Sequence, residues 1–192
     1  MLVRRILGAV VVLACVALLT SCSLLPGIPV ANPFGSSEHP DAVMQHISDA
    51  VKSHDAAALK KLFSPRAREK ATDLDSGLKY FLSVFPSGQM TWKIEDGAPG
   101  SAEENQDGYS EEVYAFYKVS ADGREYDLYF ADLSVNTKDS KSVGIYALGV
   151  APYVADPLSA SGAAKPFFVW ANSHLLENGE PTGTAGVYIP GK

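Results

Sequence analysis

Residues 112–135, EVYAFYKVSADGREYDLYFADLSV, decide the fold. Two runs rich in aromatic and β-branched residues, Glu112–Ser120 and Arg124–Val135, flank Ala121-Asp122-Gly123. An Asp-Gly pair tolerates the two left-handed positions of a tight turn, so the stretch predicts an antiparallel hairpin. Alternation then assigns faces. Val113, Ala115, Tyr117 and Val119 occupy one side of the first strand, with Tyr114 and Phe116 on the other. In the second strand Leu128 and Phe130 oppose Tyr129, Ala131, Leu133 and Val135. Both faces are apolar, and one layer of helices covers only one. The other needs the C-terminal segment around Phe167, Phe168, Val169 and Trp170, or a second subunit; the segment is favoured because it is already tethered.

The pattern extends in both directions. Upstream, Met90, Trp92 and Ile94 alternate with Thr91, Lys93 and Glu95, a further strand, and a polar loop follows from Gly97 to Tyr109. Downstream, a turn at Asn136–Ser140 leads to a fourth strand, Ser142–Val150, and Val187-Tyr188-Ile189 reads as a last short one. Before the strands the period is helical. Val43, Ile47, Ala50 and Val51 form one apolar face; Asp55 caps a short helix carrying Leu59, Leu62 and Phe63; Ser64-Pro65 stops it and suits a new start. Leu78, Phe81, Leu82 and Phe85 follow the i, i+3, i+4, i+7 rule until Pro86. Helices followed by strands give an α+β domain, helices packed on an antiparallel sheet.

The stretch Ser53-His54-Asp55-Ala56-Ala57-Ala58-Leu59-Lys60-Lys61-Leu62-Phe63-Ser64-Pro65, with this order of elements, resembles the nuclear-transport-factor-2-like superfamily. More closely, the chain is similar to a group of uncharacterised bacterial lipoproteins with such a domain. The likeness covers 41–150 and the close at Gly186-Val187-Tyr188-Ile189. It implies a cystatin-like, cone-shaped fold whose helices face a concave sheet across a pocket. Its members include isomerases, dehydratases, ligand binders and dimerisation modules, so the resemblance selects no activity.

The N-terminus carries an address. Arg4-Arg5 precede fourteen uncharged apolar residues, Ile6 to Leu19, and then Thr20-Ser21-Cys22. Signal cores run to about 15 residues, whereas a spanning helix needs about 20. Leu19-Thr20-Ser21-Cys22 resembles a bacterial lipobox. The resemblance implies cleavage before Cys22 and a diacylglycerol and palmitate anchor on it, each buried methylene contributing about 0.8 kcal/mol. The competing reading is an uncleaved anchor over Ile6–Leu25. Either way the positive residues stay inside, which puts the rest of the chain on the extracytoplasmic face of the cell membrane. The expected organisation is a signal peptide over 1–21, a lipidated tether over 22–38, rich in Pro and Gly, and one α+β domain over 39–192.

Composition narrows the chemistry. Loss of Arg4 and Arg5 takes the basic count from 16 to 14 against 22 acidic residues, a side-chain charge of −8 that repels nucleic acid. The only cysteines are Cys15, inside the signal, and Cys22. The domain is therefore without thiol, disulfide or thiolate metal ligand. His39, His46, His54 and His174 match no metal-binding spacing, and no cofactor is expected.

The remaining candidates are few. Asp132 shares the face of Leu128 and Phe130, where an apolar setting would raise its pKa and make it a base; a strand end, wet or bonded to a backbone amide, is the plainer reading. Trp92, Tyr114, Tyr117 and Tyr129 are candidate ligand-binding aromatics, though strand aromatics more often serve a core. Glu103-Glu104, Asp107 and Glu111-Glu112 read as a solvated acidic stretch, and Tyr80 as a rim residue. The expected function is binding of a small apolar ligand or a protein partner. The alternatives are a lyase or isomerase using Asp132 with a tyrosine, and a module that assembles as a homodimer through its sheet.

Overall fold

The computed structural model describes residues 40–98, 102–105, 108–155, 164–174, 176–177, 180–181 and 183–191. The chain divides into two units, Met1–Ser36 and Ser37–Lys192, and every described residue belongs to the second. The signal segment, Cys22, the tether, His39 and Asp107 lie outside the described residues. Among the described residues, no helix is long and apolar enough to cross a membrane.

Among the described residues four helices come first: α1 (Pro40–Lys52), α2 (Ala56–Leu62), α3 (Pro65–Lys70) and α4 (Leu74–Ser83). Their starts follow the local chemistry. Asp55 accepts from the amides of Ala57 and Ala58, both at 2.9 Å, and Ser64 accepts from Ala67 at 3.0 Å ahead of Pro65. Each cap satisfies amides that the helix leaves without partners. The strands are β1 (Thr91–Ala98), β2 (Ala102–Asn105), β3 (Gly108–Ala121), β4 (Arg124–Asn136) and β5 (Gly144–Pro152). A fifth helix, α5 (Ala164–Asn172), precedes the two-residue strands β6 (Leu176–Glu177), β7 (Glu180–Pro181) and β8 (Gly186–Val187).

The sheet order is β1-β3-β4-β5-β8, with β2 also paired to β3. The hairpin closes with Ala121 opposite Arg124, and Asp122 and Gly123 have φ of 51° and 73°, the two left-handed positions expected. Two expectations are corrected. The sheet is mixed rather than antiparallel: after α5 passes beside β5, the chain reaches the free edge of β5 running the same way, and β8 pairs in parallel. The stretch 97–109 is no plain loop, because β1 ends, β2 lies and β3 begins within it.

Alternation holds through the centre of the sheet. Tyr117 is opposite Leu128, and its hydroxyl donates to Asp41 on α1 at 2.7 Å, so this face looks at the helices. The space there is filled by Met44, Ile47, Leu59, Phe63, Phe81, Phe85 and Phe130, each at most 1% exposed. Full burial of such a side chain contributes about 1.5–3 kcal/mol. The second face is covered by the C-terminal segment. Phe116 packs on Phe167 and Phe168, with ring centroids 6.5 and 6.0 Å away, and Tyr129 meets Trp170 edge-on at 6.2 Å. Gly149 admits this cover: a Cβ there would come within 2.8 Å of both Phe167 and Trp170.

Three bulges break the register. They fall at Ile94/Asp96 in β1, at Glu111/Glu112 between β3 and β4, and at Ala131/Asp132 between β4 and β5. In the last, Tyr146 is the extra residue, since Ala147 faces Ala131 and Ile145 faces Asp132. A bulge re-aims a side chain.

Candidate functional site

The polar chemistry of the domain gathers in an open cleft and in a buried cluster. The cleft, about 610 Å³, lies between the outward side of α1, the segment 88–92 and the tip of the β3–β4 hairpin. Trp92 pairs with Val119, so it stands on the helix-side face of β1, and it is half-buried. Helix α1 contributes Gln45, Ser48, Asp49 and Lys52; the hairpin contributes Ser120 and Asp122. The Gln45 amide donates to Asp49 at 2.9 Å. Gly88 brings the segment against α1: its φ is 67°, and a Cβ would sit 3.0 Å from the Lys52 carbonyl oxygen.

Ser48 stands apart. It is 8% exposed, and its hydroxyl has no hydrogen-bond partner among the described residues. It occupies an apolar-stripe position, four residues after Met44 and three before Val51, both of them buried. That interruption of the stripe was the signal in the sequence that could have found it.

The buried cluster lies under the C-terminal segment. Glu112, 1% exposed, is on the face of Tyr114 and Phe116, and the hydroxyl of Tyr146 contacts both its Oε1 and the carbonyl oxygen of His174. Burial and the neighbouring Glu112 both push the Tyr146 phenol far above its ordinary range, and the same causes raise Tyr129. The His174 ring ties the end of α5 to the approach of β8: Nδ1 lies 2.6 Å from the Trp170 carbonyl oxygen and Nε2 2.8 Å from that of Thr184. Tyr146 also borders a cavity of about 70 Å³ beside Arg66 and Lys70, room for two or so water molecules.

The sequence-derived candidates separate. Trp92 lines the cleft. Tyr117 is in the core against Asp41, Tyr129 lies beneath Trp170, and Tyr114 is half-buried on the face of Glu112. Asp132 is 5% exposed opposite Val113, beside the bulge and away from the cleft, so it is not wet. A deeply buried carboxylate that meets a tyrosine hydroxyl is Glu112. The solvated reading of Glu111-Glu112 is thereby corrected: both are buried, 8% and 1% exposed, because alternation and the bulge turn them beneath neighbouring strands. Tyr80 is half-buried.

Elsewhere, Asp127 is buried with its Oδ2 accepting from the Val154 amide at 2.9 Å; burial pushes its carboxyl up to about 6 against that hydrogen bond. The described histidines are dispersed. His46 is exposed, and the His54 ring lies 3.0 Å from the Pro86 carbonyl oxygen. Among the described residues no group of three His, Cys, Asp or Glu side chains is placed to hold a metal ion.

No curated protein matches this chain. A family model does match, over residues 46–154, a span that takes in α2 to α4, the five long strands and all of the cleft except Gln45. The chain belongs to that family, described as a domain of unknown function (DUF5104).

Proposed function

We propose that the protein is a lipid-anchored, extracytoplasmic binding module that takes a small ligand in the Trp92 cleft. One observation carries the reading. Side chains fill both faces of the sheet, whereas the cleft stays open at about 610 Å³ with a half-buried indole as one wall. Small-ligand sites commonly occupy about 300–1,000 Å³ and pair an aromatic wall with a few convergent polar groups. The position of the cleft, between α1 and the helix-side face of β1, also favours membership of the nuclear-transport-factor-2-like cone, whose pocket opens between helices and sheet.

The anchor rests on Leu19-Thr20-Ser21-Cys22 behind a fourteen-residue apolar core. Membrane fractionation and palmitate labelling of the wild type and Cys22→Ala test it. Label in the wild type, and loss of label and membrane association in the variant, are expected. Membrane-bound Cys22→Ala would mean an uncleaved helix instead. Ligand binding is tested by following Trp92 fluorescence of the full chain, with Trp170→Phe as background, against a metabolite library; no response from any compound overturns the cleft reading.

A lyase or isomerase reading draws on a different observation, the Tyr146 hydroxyl lodged on a buried carboxyl and bordering a cavity. It would shift the base from Asp132 to Glu112. The cavity of about 70 Å³ admits little beyond water, so binding in the larger cleft is preferred.

A further inference from the structure

We infer that the cleft is a carbohydrate site, its ligand a neutral glycan with one ring stacked on Trp92 and hydroxyls bonded to Ser48 and the outer side of α1. This rests on the cleft reading above and names the chemical class of ligand.

The starting point is Ser48. Ser48 is more than nine-tenths buried and its hydroxyl has no partner among the described residues, so the water of the cleft serves it. A ligand hydroxyl, which both donates and accepts, takes the place of that water in either sense. Next to Ser48 on the helix, Gln45 offers an amide and Asp49 a carboxylate, while Lys52 offers an ammonium and Asp122 a second carboxylate across the cleft. Donors and acceptors are thus mixed, and no single sign dominates.

That mixture excludes other classes. Two carboxylates against one ammonium, in a chain with a side-chain charge of −8 after signal removal, repel phosphates and other anions. A simple organic cation would welcome the indole and the carboxylates but would meet Lys52 and leave Ser48 and Gln45 unused. A fatty chain would strand all of the polar groups without water. A pyranose ring fits both requirements. Its C–H face is apolar enough to lie on the indole, and its rim is a ring of hydroxyls, each donor and acceptor.

The test titrates the full chain in detergent with chitotetraose, cellotetraose, maltotetraose and mannotetraose, and separately with choline, spermidine and decanoate. The readouts are Trp92 fluorescence in the Trp170→Phe background and saturation-transfer NMR. At least one tetrasaccharide is expected to bind. Trp92→Ala is expected to weaken it by about fivefold to tenfold, the worth of a stacked ring. Ser48→Ala should weaken it by a comparable factor and Trp92→Tyr by less, with all three variants showing wild-type circular dichroism. Response to choline, spermidine or decanoate alone would overturn the carbohydrate class while leaving the cleft as a binding site. Silence in every arm would overturn both. Saccharide binding unchanged by Trp92→Ala and Ser48→Ala would place the glycan elsewhere and overturn the assignment.

Discussion

The two faces of the central sheet are built by different means. Toward the helices, the sheet meets an apolar jigsaw of Met44, Ile47, Phe81, Phe85 and Phe130, and the polar Tyr117 hydroxyl is turned outward onto Asp41. Toward the C-terminal segment, one nine-residue helix covers the sheet, and beneath it lie a carboxyl, two phenols and the end of α5 joined by hydrogen bonds. The first face is held mainly by apolar area, with the Tyr117–Asp41 hydrogen bond at its rim. The second depends on every polar group in it being paired, because an unpaired buried group costs more than a made hydrogen bond returns. The apolar positions of the helix face therefore tolerate substitutions that conserve volume, while the other face tolerates only those that conserve hydrogen-bonding sense.

The contrast can be broken at its centre. Phe130→Ala removes a fully buried ring stacked on Tyr117, with centroids 6.0 Å apart, and should cost about 3–5 kcal/mol in urea unfolding. Phe130→Leu should cost far less. On the other face, Tyr146→Phe keeps volume and removes only the hydroxyl, yet should cost about 1–3 kcal/mol, because the His174 carbonyl and Glu112 lose their partner. Glu112→Gln, whose amide oxygen still accepts from the Tyr146 hydroxyl, should be much milder than Glu112→Ala, by the same unfolding measurement. A Glu112→Gln loss as large as that of Tyr146→Phe would mean that the charge of Glu112, not its accepting oxygen, holds the phenol.

Asp127 sharpens the comparison through pH. Its native carboxyl is pushed up to about 6, above the unfolded value of about 4, so folding takes up a proton between these limits. The wild type should therefore lose stability as pH rises from about 4 to 6, carrying the full penalty of a buried charge above that. Asp127→Asn still accepts from Val154 and should gain about 1–2 kcal/mol at pH 7.5, with the gain vanishing below about pH 4. Melting curves at the two pH values read this directly. Least of all should follow from Lys60→Ala: its 2.7 Å ion pair with Asp75 is solvent-exposed, and about 0.5 kcal/mol or less is expected.

Much of this architecture was legible in the sequence. The Asp122-Gly123 turn, the faces of β3 and β4 and the Asp55 and Ser64 caps all follow from chemistry within a few residues; for the second face the sequence favoured the C-terminal segment over a second subunit. The site was less legible. Trp92 was visible as an aromatic on a strand, but the cleft beside it requires α1 to lie next to segment 88–92, a contact spanning some forty positions of chain. Glu112 looked solvated because its neighbours in sequence are acidic. Its neighbours in space are Tyr146 and the end of α5, reached through a bulge that no local pattern announces.

The sequence by itself determined which residues before Pro86 are helical, which alternate in the central strands, and that the sheet is apolar on both sides. Those properties arise from backbone sterics and side-chain spacing, which act between near neighbours. Tertiary structure alone decided that β8 returns parallel to β5, that Ser48 is buried at the cleft without a partner, and that Glu112 meets a phenol rather than water. These depend on register and on packing between distant segments, where a one-residue bulge reverses which way a side chain points.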